Sequence, residues 1–328
     1  MAETPVQPPS RLRLATRWIV RLGLTAAVFA FLFSRIDARL VASSAARIAP
    51  VALVGSVLLF ASAVLVSVVR WRALLVAYGA SSLPSWGETT RLVMMALFYN
   101  LLPGAVGGDV LRGVAARRYF ADGSATRSVG VVFVERVFGF AGLLILSAAA
   151  TVVSPLGDRQ VLVYALLGLC GALAAVLGLV IGRRLSGHLP APIAKLTSSL
   201  PVLERFGPFA FALALSVVTH LCVSLSGHVL MRSLTDRVSL LESLSVFPIG
   251  TLASYFPLTV AGAGARDTAL VVLFEKLGVD RADALATSLC MFAGNLFVSA
   301  LGGLAQLRAR DAKPEPTPYA RDTQESLR

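Results

Sequence analysis

Six stretches of this chain are apolar over lengths that match a hydrocarbon core of about 30 Å. They lie near residues 18–34, 51–69, 129–153, 161–182, 208–231 and 284–305. In lipid every backbone N–H and C=O needs a partner within the protein, so runs of this kind are helices. The 328 residues are 56% hydrophobic and 15% charged, far from the quarter-charged composition of soluble domains. The sequence therefore predicts an all-α polytopic membrane protein. Arg21 stands near the start of the first run and no small-residue cleavage site follows it, which predicts a retained span rather than a signal peptide. Residues 1–14 and 309–328 read as polar, disordered tails around one membrane domain, 15–308, whose halves meet at about residue 185 (15–185 and 186–308).

The second constraint is an internal repeat. Residues 85–112 slide without a gap onto 239–266, pairing Ser85 with Ser239, Glu88 with Glu242 and Pro103 with Pro257. The same alignment pairs Val106 with Val260, Gly108 with Gly262 and Arg112 with Arg266. Each copy opens on S-x-x-E, a helix-start signal, continues through an apolar stretch too short to span, and breaks at P-x-x-V-x-G followed by an arginine. Paired hydrophobic segments interrupted by Gly and Pro in two halves point to the central site of a transporter. Three full spans separate the copies, so segments that dip in and return on their own side enter from opposite faces. The expected fold is six full transmembrane helices plus two re-entrant helical hairpins in an inverted repeat.

Basic residues flank the spans in short segments, which excludes a basic nucleic-acid-binding domain despite a net charge of +12. Arg11, Arg13 and Arg17, Arg70 and Arg72, Arg112, Arg117, Arg118 and Arg127, Arg183, Arg184, Lys195 and Arg205, and Arg308, Arg310 and Lys313 fall on one side if both termini are cytoplasmic. Arg35, Arg39 and Arg47 run against that pattern. The location expected is the inner, cytoplasmic membrane.

The first break reads NLLPGAVGGDVLR, with Asn100, Pro103, Gly104, Gly107, Gly108, Asp109 and Arg112. Pro103 and the glycines predict a non-helical 103–108. Asp109 is then either a helix cap with Arg112 one turn on, or part of a cavity in which Arg112 binds a phosphate. The second break, YFPLTVAGAGARDT, holds Pro257, Gly262, Gly264, Arg266 and Asp267. Its Gly-x-Gly lacks a preceding strand, so it is no dinucleotide fingerprint. Glu135 and Arg136 sit inside an apolar run. Neighbours on a helix do not face each other, so each needs another partner. Glu135 either lines the cavity and balances Arg112 or Arg266, or forms a structural pair near the interface. Asn295 reads as polar glue between helices.

Other chemistries lack their signatures. Cys170, Cys222 and Cys290 sit in apolar runs and read as buried small hydrophobes, and His220 and His228 have no companion ligand, so no metal or other cofactor is expected. Paired carboxylates around a soluble cleft, a G-x-S-x-G motif and a P-loop are missing from the sequence, so no enzyme is expected.

At the breaks the chain resembles the lysylphosphatidylglycerol synthase transmembrane-region family, flippase-like domains also found at the N-terminus of the multiple peptide resistance factor. The resemblance is carried by RWRALLVAYG (70–79), NLLPGAVGGDVLR (100–112), SVGVVFVERVFGFAGLL (128–144) and FPLTVAGAGARDTAL (256–270), and covers roughly 15–308. Where the family commonly has Gly-Gly and then Arg-Glu at the second break, this chain has Ala261–Gly262 and Arg266–Asp267. The resemblance implies a translocase moving a lipid with a charged or glycosylated headgroup between leaflets, a phospholipid or a polyprenyl-phosphate-linked lipid. An alternative is a membrane subunit or scaffold of an envelope-lipid synthase. The soluble aminoacyl-transferase domain of the resistance factor is not found before Arg328, so synthase activity is not expected of this chain.

Overall fold

A computed structural model describes residues 30–34, 36–101, 107–153, 159–181, 200–255 and 264–311. All regular structure in the described residues is helical. The chain runs through α1 (Ala38–Arg47), α2 (Pro50–Ala77), α3 (Trp86–Leu101), α4 (Gly107–Ala116), α5 (Ala125–Val153), α6 (Arg159–Ile181), α7 (Phe206–Arg232), α8 (Leu240–Leu252), α9 (Ala265–Glu275) and α10 (Arg281–Asp311). Helices α2, α5, α7 and α10 are long and apolar enough to cross a membrane. The expected span 161–182 falls on α6, and of 18–34 only 30–34 are described, as helix. Both tails lie mostly or wholly outside the described residues, as do the break residues Pro103, Gly104, Pro257 and Gly262.

Local signals account for the starts. The Ser85 hydroxyl accepts the Glu88 N–H at 3.2 Å as α3 begins. At α8, Ser239 and Glu242 close a reciprocal capping box. Gly107 and Gly108 differ from the expectation, because both lie within α4. The reason is packing: a Cβ on Gly108 would fall 2.9 Å from the Ala96 Cα, so glycine lets α4 approach α3 backbone to backbone. Gly264 does take the left-handed conformation expected at a break, with φ 88°, and starts α9.

The two halves have matching helix orders: α2 to α5 correspond to α7 to α10. The equivalent helices α2 and α7 pack antiparallel along their length. The Ala49 N–H donates to Ser233 Oγ (2.8 Å), Arg70 donates to Ser216 Oγ (3.4 Å), and the Glu204 N–H donates to Ala77 O (2.9 Å). Across the halves, α5 packs on α8 and α10 packs on α3. Small residues set close crossings: at α5 on α7 a Cβ on Gly142 would lie 2.6 Å from the Ser216 carbonyl carbon, and at α10 on α3 one on Gly302 would lie 2.6 Å from the Met94 oxygen.

Each short helix pair is a hairpin with adjoining outer ends. Glu88, at the start of α3, accepts from Tyr119 Oη (2.6 Å) and from Arg118, both just past α4. Arg237, just before α8, donates to Gly278 O (2.6 Å), just past α9. The first hairpin's outer end adjoins the end of α2 and the start of α7, through Ser81–Tyr119 and Ala77–Glu204 contacts. The second adjoins the opposite ends of those helices. The two hairpins therefore open on opposite ends of the α2/α7 pair. Large apolar side chains such as Leu58, Leu65, Phe211 and Phe297 cover the outside. Cys170, expected buried, is exposed on α6, because an apolar solvent removes the pressure that buries a thiol in a soluble core.

Candidate functional site

Between α2, α3, α4, α5 and α7 lies a cavity of about 330 Å³ whose wall includes Arg70, Asn100, Asp109, Arg112, Glu135, Arg136 and His220. Its depth follows from helix rise. Arg70 stands seven residues before the end of α2 and Glu135 ten after the start of α5, so both are about 10–15 Å in from the same ends. Asn100 is at the inner end of α3.

The charged groups form one alternating chain. Arg136 pairs with Asp109 Oδ2; Asp109 Oδ1 accepts from Arg112 at 3.2 Å; Arg112 also pairs with Glu135 Oε2; and Glu135 Oε1 accepts from Arg70 at 3.0 Å. Arg70 further donates to Ser216 Oγ, and the Arg112 guanidinium lies over the Trp71 ring at 4.3 Å, within cation–π range. Side-chain exposure falls along the chain, from 42% at Arg136 to 10% at Asp109 and 6% at Arg112. Bare charges at such depth are costly, and here each guanidinium and each carboxylate has an opposite partner. Three arginines and two carboxylates leave one formal positive charge in the wall. The Asn100 side-chain oxygen, though buried, has no protein donor among the described residues.

The structure brings together Asn100, Asp109, Arg112, Glu135 and Arg136. It places Arg266 and Asp267 elsewhere, at the inner end of the second hairpin. Asp267 accepts the Gly264 N–H (2.7 Å), the Ser288 hydroxyl (2.5 Å) and Arg266 (2.9 Å). Arg266 also donates to the Ser288 carbonyl (3.1 Å) and lies 5.6 Å from the Phe292 ring centroid. With its acid only 1% exposed, this cluster is closed. Helix register pairs Asp109 with Asp267, each the third residue of its helix, whereas Arg112 is the sixth of α4 and Arg266 the second of α9. The gapless sequence match thus equates two arginines that occupy different turns.

Sequence reasoning missed Arg70, Trp71, Ser216 and His220. Arg70 reads in the sequence as a flanking cation because the apolar run stops at residue 69, yet α2 continues to Ala77 with Arg70 buried inside it. The clue was the apolar LLVA that follows RWRA, which carries a helix past its two arginines.

Fold and site together define an integral membrane protein with a charged cavity lined by its helices. The chain belongs to the lysylphosphatidylglycerol synthase transmembrane-region family, whose profile matches residues 18–303. No curated protein matches it.

Proposed function

We propose that the chain is a lipid translocase of the inner membrane, in which the cavity takes the charged or glycosylated headgroup of a lipid while the acyl chains stay in the bilayer. The observation that carries this reading is the paired but net-positive charge chain lining a cavity at bilayer depth. A charged network costs less if omitted altogether than if buried, so its presence argues for a polar visitor. The ligands in this reading are phospholipids or polyprenyl-phosphate-linked lipids.

The architecture proposed with it is six spans and two re-entrant hairpins in an inverted repeat. Antiparallel packing of the equivalent helices α2 and α7 supports this, because a two-fold axis along the membrane normal would leave equivalent helices parallel. The hairpins whose outer ends adjoin opposite ends of that pair support it too. Arg117, Arg118, Arg127 and Arg205 cluster at the first hairpin's end, which supports a cytoplasmic placement of that face and of both termini. Arg266 and Asp267 would meet the headgroup when the path opens towards the other face.

The test is translocation of a labelled anionic lipid by the purified chain in liposomes, with Arg112→Ala and Arg266→Ala alongside. Loss of a clear wild-type signal in both variants is expected. Wild-type rates in Arg112→Ala would sink the role of the cavity. A second reading, a scaffold or subunit of a lipid-modifying synthase, is favoured by the word synthase in the family's description. It predicts that cavity substitutions are silent while substitutions in the connections are not.

A further inference from the structure

The charge chain has one weak joint, and its position says how an anion would enter. Arg112 is 6% exposed and held by two carboxylates and the Trp71 face; Arg70 is 11% exposed and held by Glu135 and Ser216. Turning either to a visitor would break contacts made in the buried interior: two carboxylate contacts for Arg112, and the Glu135 and Ser216 contacts for Arg70. Arg136 is 42% exposed and reaches the chain through Asp109, whose other oxygen is bonded to Arg112. If the Arg136–Asp109 contact opens, Asp109 still has Arg112 to neutralise it.

We propose that Asp109 is an exchangeable counter-ion, and that the phosphate of a lipid headgroup carrying one negative charge takes its place on Arg136. This rests on the lipid-translocase reading. Charge counting selects the class: the wall holds three guanidinium groups and two carboxylates, so a phosphodiester monoanion brings the cavity to neutrality. A phosphomonoester dianion overshoots it, and a zwitterion leaves the excess in place. In a site of low dielectric each uncompensated charge is expensive. Arg112, Glu135 and Arg70 are then positioning residues: they hold Asp109 and the α4–α5 contact in place while the exchange happens at the exposed end.

The test measures binding, separately from transport. The purified full chain in detergent is titrated with dihexanoyl phosphatidylglycerol, a phosphodiester monoanion, and with dihexanoyl phosphatidic acid, dihexanoyl phosphatidylcholine and inorganic phosphate, reading the shift in thermal unfolding. The wild type should bind the monoanion best. Arg136→Gln should weaken that binding about tenfold, the scale of one charge-assisted hydrogen bond, while unfolding near the wild-type temperature without ligand. Asp109→Asn should tighten anion binding and, by raising the wall to two positive charges, move the preference towards the phosphomonoester. That reversal is a readout a merely structural aspartate would not give. Unchanged ligand ranking in Asp109→Asn, wild-type affinity in Arg136→Gln, or inorganic phosphate binding as tightly as the lipid would each overturn the proposal. Should the binding results hold while liposomes show no translocation, the exchange stands and the translocase reading falls; translocation with ligand-blind variants gives the converse.

Discussion

Glu135 is shared between Arg112 and Arg70, and replacing it by glutamine exposes how the cluster is held. The side chain is 5% exposed, and both guanidinium groups it faces are nearly as buried. Glutamine keeps the volume and a carbonyl acceptor but removes the charge, taking the wall from one formal positive charge to two. Removing one partner of a buried pair costs about 3–5 kcal/mol. Asp109 still neutralises Arg112, and Ser216 still accepts from Arg70, so the lower end applies, about 3 kcal/mol. Arg70→Gln lowers the net charge to zero but leaves Glu135 on Arg112, and should cost about 1.5–3 kcal/mol, the worth of a hydrogen bond to a charged group. The double variant restores one positive charge. It should be more stable than the sum of the single losses by at least about 1 kcal/mol, the coupling expected of residues in one network. The assay is equilibrium unfolding of the four proteins in one detergent, arranged as a double-mutant cycle. Additive losses would refute the shared-carboxylate account, and so would a Glu135→Gln variant as stable as the wild type.

Two further outcomes follow from packing and topology. Gly142→Ala sets a methyl group 2.6 Å from the Ser216 carbonyl carbon and should destabilise by about 1–3 kcal/mol, whereas Gly171→Ala, with nothing within 4 Å, should be neutral or slightly stabilising in the same unfolding assay. In a background lacking Cys170, Cys222 and Cys290, a membrane-impermeant thiol reagent should label Asp236→Cys on intact cells lacking an outer barrier; Asp122→Cys should react only after permeabilisation. Equal labelling of the two would contradict hairpins that enter from opposite faces.

The sequence made the helices, the S-x-x-E starts and the repeat legible because each rests on a local signal: hydropathy over a turn or more, a cap, a glycine. It did not make Arg70 legible, since hydropathy averaging ends a span at its first charge whether or not that charge is paired further along the fold. The partners of Arg70 are Glu135 and Ser216, 65 and 146 residues away in the chain, and no local pattern encodes such a pairing. The same limit applies to Arg112 and Arg266. A gapless alignment equates them, but the helices that follow the two breaks start in different registers, so the shared aspartates carry the structural equivalence. Glu135 and Arg136 were legible as a pair needing separate partners, since neighbours on a helix point apart; which partners they took depended on where α4 comes to rest against α5.

That difference in register bears on how the two hairpins would work. At the first, Asp109 is divided between two arginines, one of them half exposed, and a cavity adjoins it. At the second, Asp267 is saturated by the Gly264 N–H, Ser288 and Arg266. On the inverted-repeat reading, the outward-facing state is reached when the halves exchange these arrangements, which requires Arg266 to leave Asp267 and Ser288. Asp267 would keep the Gly264 N–H and the Ser288 hydroxyl, so the aspartate is not stranded when Arg266 departs. The acid at each tip thus has a partner to fall back on, Arg112 in the first hairpin and the helix start in the second. On the translocase reading, two saturated acids would block transport and two loosely held ones would leak, so the asymmetry between Asp109 and Asp267 fits alternating access.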